Sequence, residues 1–323
     1  MEQQHMFTNR MIRNLLVPVV LEQILNSIMG TADTMMVGNV GSAALSAVSL
    51  VDSINVLLIQ AFSALAAGGA IVCAQYIGQR NYEKANMSAR QVLFIITAIS
   101  VVVSAVCLIF QKPLLRLIFG AVDADVMRAS ETYFFFTALS FPFIAAYDSA
   151  ASIFRAQENT KGPMTISMIS NIMNIGGNAV LIWVFHLGVA GAAISTLVSR
   201  IFCAVVVLWQ LRKDRQPVVV RDYLKIRPDW SMIGRILGLG IPSGIENSMF
   251  QLGKLAIQST VSTLGTAAIA AQAMTNILEN LNGIAAIGVG VGLMTIVGQC
   301  LGAGRKDEAV YYIKKLCVIA EAV

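Results

Sequence analysis

The sequence predicts an all-α polytopic membrane protein, a two-lobe bundle of six-helix parallel repeats whose second lobe breaks off in helix nine. Three observations carry this expectation: long apolar runs, basic residues gathered in alternate connectors, and a gapless self-similarity at an offset of 224 positions. Hydrophobic residues fill 56% of the 323 positions and charged residues only 13%, whereas soluble domains carry about 25% charged residues. That balance excludes an ordinary soluble fold.

The apolar runs lie near 15–37, 43–77, 92–110, 132–154, 164–185, 189–211, 236–261 and 267–297, and a ninth begins near 313. A spanning helix needs about 20 mainly apolar residues. In lipid every backbone group must be satisfied inside the segment, and runs so uniformly apolar do not fit the alternating strands of a barrel. The first run carries Glu22 and Asp33 and lacks a small-residue cleavage site, so it is read as a retained helix and not a signal peptide.

The net charge of +5 does not imply a nucleic-acid partner, because the basic residues sit between apolar runs. Arg80, Lys84 and Arg90 follow the second run, Arg155 and Lys161 the fourth, Arg212, Lys213, Arg215, Arg221, Lys225 and Arg227 the sixth, and Arg305 and Lys306 the eighth. Positive residues are retained on the cytoplasmic side, which predicts a multi-pass protein of the plasma (inner) membrane with a cytoplasmic N-terminus. Lys112 and Arg116 after the third run are the exception. Cys73, Cys107, Cys203, Cys300 and Cys317 show no CxxC or Cys/His spacing and are expected to be reduced packing residues.

The self-similarity pairs Pro18 with Pro242, Glu22 with Glu246, Gly41 with Gly265, Gln75 with Gln299 and Gly78 with Gly302. It runs without a gap from Leu15/Leu239 to Ile95/Ile319 and matches GSAALSA to GTAAIAA and QYIGQRNYEKA to QCLGAGRKDEA. Six helices separate each residue from its counterpart, so the copies are parallel and related by an axis along the membrane normal. The expected organisation is a first lobe over 1–212, a cytoplasmic linker over 213–235, and helices seven, eight and part of nine over 236–323. A second copy as long as the first would continue past Val323, so the chain is expected to be a fragment that does not transport alone.

Polar residues inside the helices are the candidate functional groups, since ionisable side chains at mid-membrane are costly and usually face a cavity or a partner. Glu22, Asn26, Met29 and Asp33 fall on one face of helix one, and Asn171, Asn174 and Asn178 on one face of helix five. Each carboxylate either binds a cation or proton, or pairs with a base to hold helices together. Arg200 in helix six and Lys254 in helix seven are each expected to neutralise a buried acid, with Asp52, Asp148, Glu22 and Glu279 as candidates. Gly288, Gly290 and Gly292 follow no strand and are read as helix-packing or bending positions, and no GxxxxGK[ST] is present to bind ATP. Pro18, Pro142 and Pro242 are expected bends. His5 and His186 receive no role.

These pieces together resemble the multidrug and toxic compound extrusion (MATE) family. The matching stretches are LLVPVVLEQILNSIMGTADTMMVGNVG, AQYIGQRNYEKA, FRAQENTKGPM, SNIMNIGGNAVLI and LGLGIPSGIENSMFQLG, spread over essentially the whole chain. The resemblance implies a V-shaped cavity and a monomeric, non-enzymatic antiporter that exports amphipathic, often cationic, organic compounds against H⁺ or Na⁺ influx, with no cofactor beyond the coupling ion. It also implies that Asp33, in the pattern DTxMxG, is the coupling residue of the first lobe, with Asn174 and Asn178 beside it. Some relatives have aspartate where this chain has Asn178. Glu246, the repeat partner of Glu22, matches an acid of helix seven. The alternative within the superfamily is a lipid-linked oligosaccharide flippase, whose cavity would be strongly cationic; the acidic and amide-bearing helices here favour cationic cargo.

Overall fold

The structure is a computed structural model, described over residues 5–119, 123–213, 216–221, 223, 227–262 and 266–322. The chain forms helices α1 (Asn9–Gly38), α2 (Ser42–Gly78), α3 (Tyr82–Ile109), α4 (Gln111–Phe119), α5 (Ala124–Ala156), α6 (Lys161–Asn178), α7 (Val189–Leu211), α8 (Trp230–Ser262), α9 (Thr266–Gly302) and α10 (Lys306–Ala322). A π-helical stretch, Ala179–Val184, continues α6. Every predicted apolar run has its helix. Among the described residues seven stretches are long and apolar enough to cross a membrane: α1, α2, α3, α5, α6 with its π extension, α7, and Asn282–Gly302 of α9.

Local chemistry sets several boundaries. Thr8 caps α1 by accepting from Met11 N, Asn81 caps α3 by accepting from Lys84 N, and Asp229 Oδ1 accepts from Ser231 N at 3.0 Å and Met232 N at 3.2 Å at the start of α8. Such caps satisfy amides that the first helical turn leaves without partners. Pro18, Pro142 and Pro242 all lie inside continuous helices. The short α4 is an addition to the expected plan, and it explains the misplaced charges: Lys112 and Arg116 belong to a nine-residue helix anchored by the buried Leu115, too short to span a bilayer.

The first six-helix unit packs around α5. Ala138, Ala145, Ala150 and Ala151 are buried along it beside Phe134, Phe141 and Phe154. Small residues let neighbouring helices approach closely, which is how helices associate where lipid removes the hydrophobic drive. Four cysteines are buried as expected of packing residues, and Cys317 is exposed.

The two copies meet through contacts that come in exchanged pairs, as a local twofold axis requires. A side chain at Gly78 would collide with the carbonyl of Gln299, and one at Gly302 with the carbonyl of Gln75. Ala74 and Gly298 are themselves counterparts, and a Cβ on Gly298 would lie 2.9 Å from Ala74 Cβ. Likewise Gly288 abuts Val20 while Gly244 faces Ala64, and Gly292 abuts Leu16 while Gly68 abuts Gly240. Gly288 and Gly292 are thus close-packing positions against α1, whereas Gly290 faces open space.

Hydrogen bonds reinforce this seam. Arg235 donates to Gln75 Oε1 at 2.7 Å and Tyr76 Oη at 3.1 Å, Thr295 Oγ1 to Arg155 O at 3.1 Å, and Gln299 Nε2 to Ala156 O at 2.9 Å. All these contacts lie toward the ends of α2 and α9 that lead into basic connectors.

The seam predicts an inverted response to alanine. Alanine stabilises an ordinary helix by up to about 1 kcal/mol over glycine, yet overpacking costs about 1–3 kcal/mol. Gly78→Ala and Gly302→Ala should each lower the melting temperature in detergent, while Gly176→Ala, exposed and with open space around it, should leave it unchanged or raise it.

Candidate functional site

The polar stripe of α1 faces the interior of the first unit, because each of its groups bonds to a neighbouring helix of that unit. Glu22 reaches α5, where Arg155 Nη2 lies 3.1 Å from both carboxylate oxygens and Tyr147 Oη donates to Oε1 at 3.1 Å. One turn on, Asn26 Oδ1 accepts from Ser167 Oγ at 3.0 Å and Asn171 Nδ2 at 3.1 Å on α6. Asp33 accepts a short hydrogen bond from Asn178 Nδ2.

Asp33 begins a chain of polar groups. Asn178 Nδ2 also donates to Asn174 Oδ1 at 3.3 Å, and Asn174 Nδ2 donates to Thr196 Oγ1 on α7 at 3.2 Å. Asn174 and Asn178 are fully buried. The Oδ1 of Asn178 has no hydrogen-bond partner among the described residues, and leaving a buried acceptor unsatisfied costs about 1–3 kcal/mol. The π-helical stretch starts directly after Asn178; such wide turns frequently accompany functional sites.

Two further carboxylates and one cation complete the cluster. Asp52 on α2 accepts from Asn55 Nδ2 at 3.1 Å and Tyr133 Oη at 3.2 Å. Asp148 on α5 accepts from Ser63 Oγ at 2.6 Å. Arg200 on α7 donates to Ser140 Oγ at 2.6 Å and interacts electrostatically with Asp52, Asp148 and Asp33. Three acids lie within electrostatic reach of one guanidinium. Asp52 and Asp148 each accept from a hydroxyl, whereas Asp33 accepts from the Asn178 amide.

Two expectations about charge pairing are corrected, and a third is met in its partners but not in its burial. Glu22, 2% exposed, pairs with neither Arg200 nor Lys254 but with Arg155, since α5 runs on to Ala156 and carries that arginine into the bundle instead of leaving it in the connector. Arg200 makes no direct ion pair among the described residues; its nearest donor contact is the Ser140 hydroxyl, with the acids disposed around it. Lys254 does pair with Glu279, at 2.7 Å, but the side chains are 38% and 48% exposed, so this is a surface-type pair worth at most about 1 kcal/mol and not a buried one.

Glu246 is exposed on α8, and no described contact joins it to the cluster of the first unit. Tyr133, Tyr147 and Thr196 were missed because they lie inside runs read as apolar. The available signal was tyrosine in place of phenylalanine, as a buried phenol hydroxyl needs a partner.

The fold has counterparts among known proteins. The MatE family profile matches residues 18–180 and 242–322. The chain belongs to the MATE family. It is 28% identical over 302 residues to a Bacillus subtilis protein named "Probable multidrug resistance protein YoeA", covering 91% of this chain and 64% of that one. A NorM protein of Thermotoga maritima, named in the same terms, is 25% identical over 308 residues, covering 93% of this chain and 65% of its own. The chain therefore spans less than two thirds of the length of these MATE relatives. A solved structure titled as the outward-facing conformation of a multidrug resistance MATE family transporter superposes with a TM-score of 0.89 at 19% identity, over 96% of this chain and 68% of that one. That likeness establishes the MATE fold.

The ion pair at Glu22 yields a stability test within this MATE chain. Removing one member of a buried pair strands the other charge, at about 3–5 kcal/mol, while replacing both can be nearly neutral. Glu22→Gln should markedly lower the melting temperature in detergent, and Glu22→Gln with Arg155→Met should recover most of the loss.

Proposed function

We propose that the chain supplies the cation-coupling lobe of a secondary-active exporter, which moves amphipathic, often cationic, organic compounds outward in exchange for H⁺ or Na⁺. The observation that carries this reading is the Asp33–Asn178–Asn174–Thr196 chain with its unpartnered Asn178 oxygen. A carboxylate beside a free amide oxygen is a donor set for a hard cation, which favours oxygen ligands. The same pair serves a proton. With Asp33 ionised, Asn178 presents its amide N–H; with Asp33 protonated, rotation of the amide presents the oxygen to the new O–H, and Asn174 turns with it.

Charge balance supplies the drive. The cluster goes from three carboxylates against one guanidinium to two against one when Asp33 is neutralised, which removes its repulsion with Asp52 and its attraction to Arg200. Both groups sit on other helices, so uptake of the ion changes how α1 is held. Glu22 is assigned a structural part, tied to Arg155, while Glu246, exposed on α8, is the candidate acid of the second lobe. The interlobe seam lies at the basic end, and with the basic connectors in the cytoplasm and the linker after the first lobe ending where α8 begins at Trp230, the cleft opens outward. The relatives' names speak of multidrug resistance, which accords with this reading.

In a full-length transporter that contains this lobe, Asp33→Asn should abolish efflux of a fluorescent organic cation, by 10-fold or more on the scale of a lost coupling group, at unchanged protein level; undiminished transport overturns the assignment. Vesicles with an imposed pH or sodium gradient identify the ion: the gradient that drives wild-type efflux should fail to drive the variant.

A further inference from the structure

A cavity of about 460 Å³ lies under the linker at the basic end of α3, away from the Asp33 cluster. Its walls are pinned in place. Asn86 Oδ1 accepts from Val219 N at 2.8 Å, and Gln91 grips the linker twice, donating to Arg227 O at 2.7 Å and accepting from Asp229 N at 3.2 Å. Glu83, Asn86 and Arg90 share one face of α3, and Arg227 faces them from the linker. The Asp229 carboxylate is committed to the start of α8. The side chains of Glu83, Arg90 and Arg227 have no hydrogen bond or ion pair to any described residue.

The internal repeat provides a control. Counting 224 positions on or back, Met87 corresponds to Tyr311 and Asp229 to His5, and in the second copy those two rings stack at 4.7 Å. Phe7 closes the same niche against Tyr312, with ring centroids 5.7 Å apart; their counterparts, Ser231 and Ser88, carry no ring. Where the second copy packs rings on rings, the first keeps an open space edged with uncommitted charges. Exposed Tyr82 and Trp230 flank it, and such aromatics sit at the headgroup level of a bilayer.

Two guanidiniums converging on one space suit a phosphate, which arginine holds bidentately. Glu83 would repel a bare anion but pairs with a primary ammonium. We propose that this niche binds a phosphate diester bearing a primary ammonium, supplied by a phosphatidylethanolamine headgroup, with the phosphate between Arg90 and Arg227 and the ammonium against Glu83. Phosphatidylglycerol leaves Glu83 opposed, and phosphatidylcholine offers it no N–H donor. Because the niche joins α3 to the linker and α8, a bound headgroup ties the two copies together at their basic end.

Native mass spectrometry of the delipidated chain, titrated with phosphatidylethanolamine, phosphatidylglycerol or phosphatidylcholine of equal acyl length, tests this. Wild type should retain phosphatidylethanolamine about fivefold better than either other lipid, the scale of one partly exposed ion pair. Glu83→Gln should bring phosphatidylethanolamine down to the phosphatidylglycerol level without weakening the latter, and Arg90→Gln with Arg227→Gln should lower both. A melting curve checks that these exposed substitutions leave folding intact. Equal retention of all three lipids, preference for phosphatidylglycerol or phosphatidylcholine, or discrimination unchanged in the double variant overturns the site. Displacement of the lipid by an equal concentration of soluble glycerophosphoethanolamine overturns the lipid as its source.

Discussion

The backbone-to-backbone approach of α2 and α9 is the constraint on which the rest of the molecule depends. At Gly78 and Gly302 a carbonyl of the opposite copy occupies the space a side chain would need. Lipid tails are as apolar as leucine, so helices in a bilayer gain nothing from hiding hydrophobic surface and associate by close packing and polar contacts. The seam has both, since Gln75 and Gln299, which present the blocking carbonyls, also use their side chains across it, toward Arg235 and the end of α5. It fixes the position of the second copy against the first, and with it the place where the linker crosses α3.

Charge placement follows from that frame. Buried carboxylates in this bundle are not equivalent: Glu22 is neutralised by Arg155, one of whose nitrogens contacts both carboxylate oxygens, Asp52 and Asp148 are each supported by a hydroxyl, and Asp33 leans on an amide whose own oxygen has no partner among the described residues. Environment, not residue type, distinguishes these acids from one another. The same distinction orders the cations, with Arg155 locked to one acid and Arg200 shared among three.

Much of this was legible in the sequence, for physical reasons. Lipid demands long apolar spans, so each apolar run marked a helix, although the polar first turns of α3 and α5 fell outside their runs, and the self-similarity that begins at Leu15/Leu239 revealed the copies that the seam then joins. The helical spacing of Glu22, Asn26 and Asp33 put them on one face, and the family resemblance put Asn178 beside Asp33, with Asn174 reaching it through Asn178. Pairing was another matter. Which base meets which acid depends on the azimuth of helices far apart in sequence, so Arg155 was read as a topological signal when it is the partner of Glu22. Hydroxyl donors such as Tyr133 and Tyr147 vanish in hydropathy, and α4 is too short to register as a run.

Ala74 and Gly298 occupy equivalent places on either side of the local axis, and each lies against the other. In an assembly of two identical chains, a residue so placed must be compatible with itself. Fusion into one polypeptide lifts that demand, letting one side keep a methyl group while the other gives up its own. The asymmetry at this one contact shows in miniature how a repeated unit can assign different tasks to its halves without loosening the joint between them.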